Sequence, residues 1–174
     1  MKTAGSHGFY PVVDDVRWVR RFLPLGVRTI QLRIKGQPEA EVRRQIREAL
    51  AIAADHGDCQ MIVNDHWRAV IREGAAWLHL GQEDLAGADR AAIRAAGIRL
   101  GVSTHSTEEL ANALDAQPDY LALGPIYETT LKKMPWSPQG LERIGEWKAR
   151  FPCPLVAIGG ITLETSDEIG RAHV

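Results

Sequence analysis

Cysteine is scarce in this sequence, and the cysteines that are present form no motif. The 174 residues include only Cys59 and Cys153, which lie far apart and close to short apolar runs. This spacing indicates small buried thiols of a reduced cytoplasmic protein rather than a disulfide or a catalytic pair. A mechanism that relies on a reactive cysteine is therefore not expected.

Long apolar runs and an excess of one charge are also missing. No run approaches the ~20 residues that span a bilayer, and residues 1–13 contain no apolar core of a signal peptide. The chain has 21 Lys and Arg against 22 Asp and Glu, a formal net charge of −1. This balance gives no indication of a nucleic-acid or membrane partner. We expect one cytoplasmic domain with a sizeable core.

What the sequence does contain is a regular alternation of short apolar runs with longer amphipathic ones. Each short run is typical of a buried strand, and each longer one has the period of a helix. The predicted strands are 9–13, 29–34, 60–64, 76–80, 99–103, 120–124 and 154–160. The predicted helices are 15–26, 38–57, 65–74, 85–97, 106–116 and 138–151, and the start of another follows the last strand.

Strands that are apolar on both faces indicate a parallel sheet covered by helices, and so an α/β protein. Regular βα alternation allows a doubly wound open sheet or a closed (β/α)8 barrel. The segment after the first strand, VVDDVRW, lacks the glycine-rich fingerprint of a dinucleotide-binding open sheet. Polar or glycine-rich motifs follow nearly every strand instead, as a barrel requires because its strand ends converge on one site. We predict a TIM barrel of which this chain carries about seven βα units.

The first of these motifs carry positive and negative charge. QLRIK places Gln31, Arg33 and Lys35 at a period of two, so in a strand they share one face. Asp65 and Asp84 follow the third and fourth strands, and two such carboxylates can share Mg²⁺. The alternatives are a solvated charge cluster for QLRIK and helix N-caps for the two aspartates.

The later motifs are suited to binding anions. Ser103 and Thr104 end the fifth strand, a long loop with hydroxyls and two lysines follows the sixth, and a Gly-Gly pair ends the seventh. Backbone N–H groups at such a glycine pair can approach an anion. With Arg33, Lys35 and Lys132 as anion partners and Asp65 and Asp84 as metal ligands, the set indicates a site for a Mg²⁺-bound polyphosphate.

The ordered blocks QLRIK, IVND, HLGQEDL, GVSTH, GPIYETTLKKMPWSPQGL and VAIGGI closely resemble thiamine phosphate synthases, from about Tyr10 to Leu163. The resemblance implies a TIM barrel that uses Mg²⁺. It also implies a transferase that joins hydroxymethylpyrimidine diphosphate to hydroxyethylthiazole phosphate, releasing pyrophosphate and forming thiamine phosphate. It permits a homodimer.

The resemblance also assigns roles by position. Arg33, Ser103 and Lys132 would act in catalysis, and Asp65 and Asp84 would bind Mg²⁺. The implied substrate-binding residues are Gln31, Leu32, Arg33, Ile34, Lys35, Asn64, Ser103, Thr129, Thr130, Leu131, Lys132 and Gly160. Where the family often has Pro-Thr-x-Thr-Lys, this chain has Glu-Thr-Thr-Leu-Lys at 128–132. Relative to that pattern a hydroxyl is lost at Leu131 and a carboxylate is gained at Glu128, so Thr130 would donate to the thiazole phosphate instead.

Two other functions remain open from the sequence. A thiazole tautomerase has a similar fold, but it would need neither the aspartate pair nor QLRIK. A non-catalytic protein that binds thiamine precursors would keep the motifs without turnover.

The end of the chain suggests a further expectation. A closed barrel has eight strands, so we expect residues 1–167 to be an incomplete barrel domain. Residues 168–174, EIGRAHV, back-translate into a string that resembles the start of a common sequencing adapter. We expect them to be a tail that is not native to the domain.

Overall fold

The computed structural model describes residues 8–57, 59–129 and 136–172. The chain divides into two compact units, residues 1–100 and residues 101–174. Each unit is an α/β structure built from parallel strands that alternate with helices.

The first unit contains four complete strands that pair in chain order. They are β1 (Val12–Val13), β2 (Thr29–Leu32), β3 (Gln60–Asn64) and β4 (Trp77–Leu80). The helices are α1 (Val16–Phe22), α2 (Glu39–Ala54), α3 (Trp67–Glu73), α4 (Gln82–Gly87) and α5 (Arg90–Ala95), with a 3-10 turn at Leu23–Leu25. Every pairing is parallel: Val13 lies opposite Leu32, and Leu32 lies in turn opposite Val63. The carboxyl ends of these strands therefore lie along one edge of the sheet.

The second unit begins within β5 (Arg99–Thr104) and continues the same alternation. Its other elements are α6 (Thr107–Asp115), β6 (Tyr120–Leu123), α7 (Gly140–Arg150), β7 (Leu155–Ala157) and α8 (Leu163–Ala172). β6 pairs in parallel with both β5 and β7. The prediction of seven parallel strands with intervening helices is confirmed.

The strands are buried because helices cover the sheet. Every residue of β2, β4 and β6 is buried, as expected for parallel strands. Helix α2 buries Val42, Ile46, Ala49 and Ala53 on its inward face, whereas Leu50 is only partly buried. This layered burial supplies most of the free energy that stabilises each unit.

Local signals explain where the helices begin. The carboxylate of Asp15 accepts a hydrogen bond from Arg17 N at the start of α1, and Ser106 Oγ accepts one from Glu109 N at the start of α6. The Glu109 carboxylate accepts from His105 N at 2.7 Å and contacts His105 Nδ1 at 2.8 Å.

Several predicted boundaries are wrong. The first and last strands, predicted as 9–13 and 154–160, are only Val12–Val13 and Leu155–Ala157. Residues 85–97 do not form one helix, because Ala88 is extended (ψ 142°) and Asp89 caps a new helix by accepting from Ala92 N. The predicted strand 29–34 ends at Leu32, so Arg33 and Lys35 lie beyond the ladder of β2.

The thiols of Cys59 and Cys153 are free, as predicted, but each is half-buried rather than buried. Burial nevertheless raises the pKa of both thiols, which disfavours the nucleophilic thiolate. None of the helices within residues 8–57, 59–129 and 136–172 is long and apolar enough to cross a membrane.

Gly101 is expected to tolerate no side chain. It lies opposite Tyr120 across the β5–β6 pair, and a Cβ atom at residue 101 would overlap the fully buried Tyr120 ring. We expect Gly101→Ala to lower the free energy of unfolding by about 1–3 kcal/mol, the usual cost of overpacking a core. The measurement is urea unfolding of both proteins.

Gly145→Ala is the matched control. Gly145 is exposed within α7, and nothing lies within 4 Å of the position its Cβ would take. Alanine there should raise the stability by up to about 1 kcal/mol through helix propensity. Equal effects of the two substitutions would contradict the packing explanation.

Candidate active site

The segment after β2 carries the predicted anion-binding side chains. Arg33 N donates to Val13 O at 2.7 Å, so the backbone remains attached to β1 although the β2 ladder has ended. Ile34 is fully buried, whereas Arg33 and Lys35 on either side of it are exposed. The buried side chain thus anchors a segment whose two cations face solvent.

Gln31 lies deeper, within β2. Its side chain is buried, and its Nε2 donates to the Tyr10 hydroxyl at 2.7 Å. Gln31 and the exposed cations therefore differ in environment, although all three belong to one sequence block.

β3 ends in an unusual backbone turn at Asp65. This residue has φ +64°, the left-handed region that non-glycine residues rarely occupy. Asp65 N donates to His79 O at 2.9 Å, His66 N donates to Asn64 O at 2.8 Å, and Trp67 N donates to Asp65 O at 2.7 Å. Such conformations cost free energy and concentrate at functional sites, where the surrounding structure holds them.

The turn places the Asp65 carboxylate between a cation and a second carboxyl group. Lys35 Nζ donates to Asp65 Oδ2. Partial desolvation, followed by the charge and hydrogen bonding of Asp65, raises the pKa of Asp84, and Lys35 acts in the opposite direction. The structure therefore brings together Lys35, Asp65 and Asp84, from the ends of three successive strands.

Helix capping does not explain the two aspartates. The N-cap of α3 is His66, and the N-cap of α4 is Gly81. Asp84 lies inside the first turn of α4, and Asp65 lies outside α3 altogether. Their proximity to each other therefore has another cause.

The donor set suits a hard divalent cation. Mg²⁺ is usually held in proteins by one or two carboxylates, with substrate phosphates and water completing an octahedron. Asp65 and Asp84 provide two carboxylates whose mutual repulsion a dication would relieve. Among the described residues, no group of three or more His, Cys, Asp or Glu side chains could hold a metal ion alone. The site thus fits a metal that is shared with a phosphate ligand.

Asn64 supplies a further polar group at this edge. Its side chain is buried, and Nδ2 has no hydrogen-bond partner within the part of the chain that the structure describes. A buried amide donor without a partner costs free energy, so one that persists calls for an explanation. An acceptor atom on a bound ligand would satisfy it.

Two adjoining clefts flank these residues. One, of about 350 Å³, is lined by Arg33 and Lys35 together with Asp14 and Arg17. The other, of about 510 Å³, is lined by Asp65, Asp84 and the start of α3. Both are of the size that small-molecule ligands occupy.

The remaining predicted residues belong to the second unit. Ser103 lies in β5, half-exposed, opposite Ala122 of β6. Gly160 has φ +70°, and a Cβ there would overlap the backbone of Tyr127 and Glu128. Its lack of a side chain lets the segment after β7 lie directly against the loop that leads to Thr129. Thr130, Leu131 and Lys132 lie outside the described residues.

Two histidines close to the aspartate pair carry no assignment from the sequence. His79 lies buried in β4, opposite Asn64, and His66 follows Asp65 directly. In the sequence, His66 is marked only by its position next to Asp65. His79 is marked only by its position in the strand that precedes Asp84. Their surroundings became clear only with the fold.

His79 should make stability depend on pH. Burial lowers the pKa of His79 to about 4, although the Asp65 carboxylate acts in the opposite direction. The unfolded chain therefore binds the extra proton between pH 6.5 and 4, and the free energy of unfolding falls as pH decreases through this window. We expect roughly 2 kcal/mol to be lost between about pH 7 and pH 5 from this group.

The measurement is urea unfolding at both pH values for the unaltered chain and His79→Gln. The variant should lose less stability over the same interval, because glutamine does not titrate. An equal loss in both proteins would show that His79 is not the group responsible.

Comparison with known proteins agrees with this geometry. The family model described as "Thiamine monophosphate synthase" matches residues 9–174. The thiamine-phosphate synthase of Rhizobium etli is 57% identical over 157 residues, which cover 90% of this chain and 76% of that protein. The corresponding protein of Citrobacter koseri is 47% identical over 168 residues, 96% of this chain and 79% of its own length.

A solved structure shows the same likeness. The thiamine phosphate pyrophosphorylase from Pyrococcus furiosus superposes with a TM-score of 0.82 at 27% identity, covering 95% of this chain and 81% of that one. Sequence and structure thus point to one family over nearly the whole chain. The chain belongs to the thiamine monophosphate synthase family.

Proposed function

We propose that this protein is a thiamine phosphate synthase. It condenses 4-amino-2-methyl-5-hydroxymethylpyrimidine diphosphate with hydroxyethylthiazole phosphate, giving thiamine phosphate and pyrophosphate. The observation that carries the proposal is the cluster of Lys35, Asp65 and Asp84, which lies beside the exposed Arg33. Such a set suits a diphosphate bound with a divalent cation.

In the proposed reaction the bond between the pyrimidine methylene carbon and the diphosphate oxygen breaks. Its electron pair leaves with pyrophosphate, and the thiazole nitrogen supplies the pair for the new carbon–nitrogen bond. Because the nucleophile belongs to the substrate, the protein needs none. The raised pKa values of both cysteine thiols agree with this.

The protein's contribution is positioning and electrostatics. Asp65 and Asp84 would hold Mg²⁺, which when bound neutralises charge on the departing pyrophosphate. Arg33 and Lys35, fixed at the end of β2, would donate hydrogen bonds to the diphosphate oxygens and stabilise the charge that develops there. The unpartnered Nδ2 of Asn64 would donate to an acceptor on the pyrimidine, and the buried Gln31 would fix the depth of the substrate.

The finer parts of the family pattern belong to the same proposal. We propose a (β/α)8 barrel as the complete fold, Ser103 and Lys132 as further contacts to the pyrimidine diphosphate, and a homodimer in solution. The thiazole phosphate would bind in the second unit. The close approach of Gly160 to the loop before Thr129 supports this, because it places backbone from two segments side by side.

The test is turnover of the purified chain with both substrates and Mg²⁺. We expect thiamine phosphate and pyrophosphate to form in equal amounts, and we expect chelation of the metal to stop the reaction. Interconversion of thiazole tautomers without pyrophosphate release would favour the isomerase. Tight binding of both substrates without product would favour the non-catalytic binding protein.

A further inference from the structure

The β2–β3 ladder stops one step short of the cation-bearing segment. Its register begins with Gln60 N donating to Arg28 O, and it advances by two residues on each strand. If the ladder continued in this register, His66 N would donate a hydrogen bond to Ile34 O. The turn at Asp65 prevents this, because His66 N donates to Asn64 O instead.

The side chain of His66 takes over the missing donor. Its Nε2 lies 2.9 Å from Ile34 O. A carbonyl oxygen only accepts, so Nε2 carries the hydrogen and donates it. The backbone N–H of His66 does not bond Ile34 O, and the imidazole of the same residue donates to this carbonyl instead.

Helix capping does not account for this side chain. His66 is the N-cap of α3, yet its side chain makes no capping hydrogen bond, whereas the N-cap residues of α1 and α5, Asp15 and Asp89, do. The imidazole is directed across to the neighbouring strand end instead.

The bond fixes the segment that carries Arg33 and Lys35. On the β1 side, Arg33 N is held by Val13 O. On the β3 side, Ile34 O accepts a hydrogen bond from His66 Nε2, and Lys35 Nζ donates to the carboxylate of Asp65, the residue before His66. The two exposed cations therefore extend from a backbone that is attached on both sides although it lies outside regular strand structure.

We infer that His66 is a positioning residue for diphosphate binding: by replacing the lost ladder donor, it holds the Arg33–Lys35 segment where both cations can contact the diphosphate. This rests on the proposed function for the identity of the ligand. His66 itself touches no reacting atom in this scheme. Its loss should weaken diphosphate binding and leave the thiazole substrate unaffected.

The test compares His66→Phe, which keeps a ring without a donor, with His66→Gln, whose amide Nε2 can reach a similar position. Calorimetric titration measures the affinity for inorganic pyrophosphate with Mg²⁺, and steady-state kinetics measure KM for each substrate. For His66→Phe we expect pyrophosphate affinity to fall and KM for the pyrimidine diphosphate to rise, each about 5–10-fold, from the loss of one positioning hydrogen bond. KM for the thiazole phosphate should stay within about two-fold, and His66→Gln should recover most of the loss.

His56→Phe is the matched control. His56 also bonds a backbone carbonyl, Ile52 O at 2.9 Å, but it does so at the far end of α2. It should change stability by a similar amount and leave pyrophosphate affinity unchanged.

Three results would overturn the inference. They are unchanged pyrophosphate affinity in His66→Phe, equal rises of both KM values, and failure of His66→Gln to recover binding. The pyrophosphate titration does not depend on turnover. If the unaltered chain binds pyrophosphate in a His66-dependent way but forms no thiamine phosphate, the inference stands and the proposed function fails.

Discussion

Replacing Asp84 with asparagine should reduce turnover at least ~100-fold, because the metal would lose one of its two carboxylate ligands. The charge that develops on the leaving pyrophosphate would then be less well neutralised. The substitution would also end the repulsion from Asp65 that helps to raise the pKa of Asp84. The fold should therefore be unharmed while the activity is lost. Initial rates across a range of Mg²⁺ concentrations measure the effect, and thermal unfolding without metal checks the fold.

Glu83→Gln is the control for this substitution. Glu83 is the adjacent acidic residue on the first turn of α4 and lines the same cleft, so the variant makes the same charge change one position away. We expect its rate to stay within a few-fold of the unaltered chain. Comparable losses in both variants would mean that general negative charge, rather than ligation by Asp84, supports the reaction.

Lys35→Gln should lower kcat/KM for the pyrimidine diphosphate by about 100-fold, the usual scale for one preorganised charge contact. A second effect concerns pH. Lys35 lowers the pKa of Asp84, so its removal raises that pKa further. Because a metal ligand must be deprotonated, the acidic limb of the rate profile should move to higher pH.

Lys35→Arg and Arg94→Gln are the two controls for Lys35→Gln. The arginine variant keeps the charge and should leave the acidic limb in place. Arg94→Gln removes an exposed cation from α5, away from the lining of both clefts, and should change neither quantity. A Lys35→Gln profile that kept its original acidic limb would argue against electrostatic coupling of Lys35 to the aspartate pair.

Much of the fold was predictable because its signals are local. Apolar runs marked all seven strands, and residues such as Pro38 and Gly74 marked helix boundaries. The order of the motifs was enough to identify the family. Parallel strands then required the strand-end residues Lys35, Asp65 and Asp84 to lie on one edge.

The details that shape the site were not predictable, because they depend on partners distant in sequence. Nothing local shows that Asp65 adopts a left-handed backbone or that His66 reaches Ile34, a residue 32 positions earlier. The end of β2 at Leu32 is equally hidden, because the strand-like sequence continues to Ile34, which is buried although the ladder has stopped. A strand-like sequence pattern predicts which side chains are buried. It does not predict which backbone carbonyls are hydrogen-bonded to a neighbouring strand.

The contact between Gly101 and Tyr120 has an evolutionary consequence. A side chain can enter position 101 only after the facing ring has been replaced by something smaller, and that replacement alone would leave a cavity. Each single change passes through a less stable protein, while the pair together can restore packing. The two positions are therefore expected to show strong epistasis, with the double variant more stable than the sum of the single losses would allow.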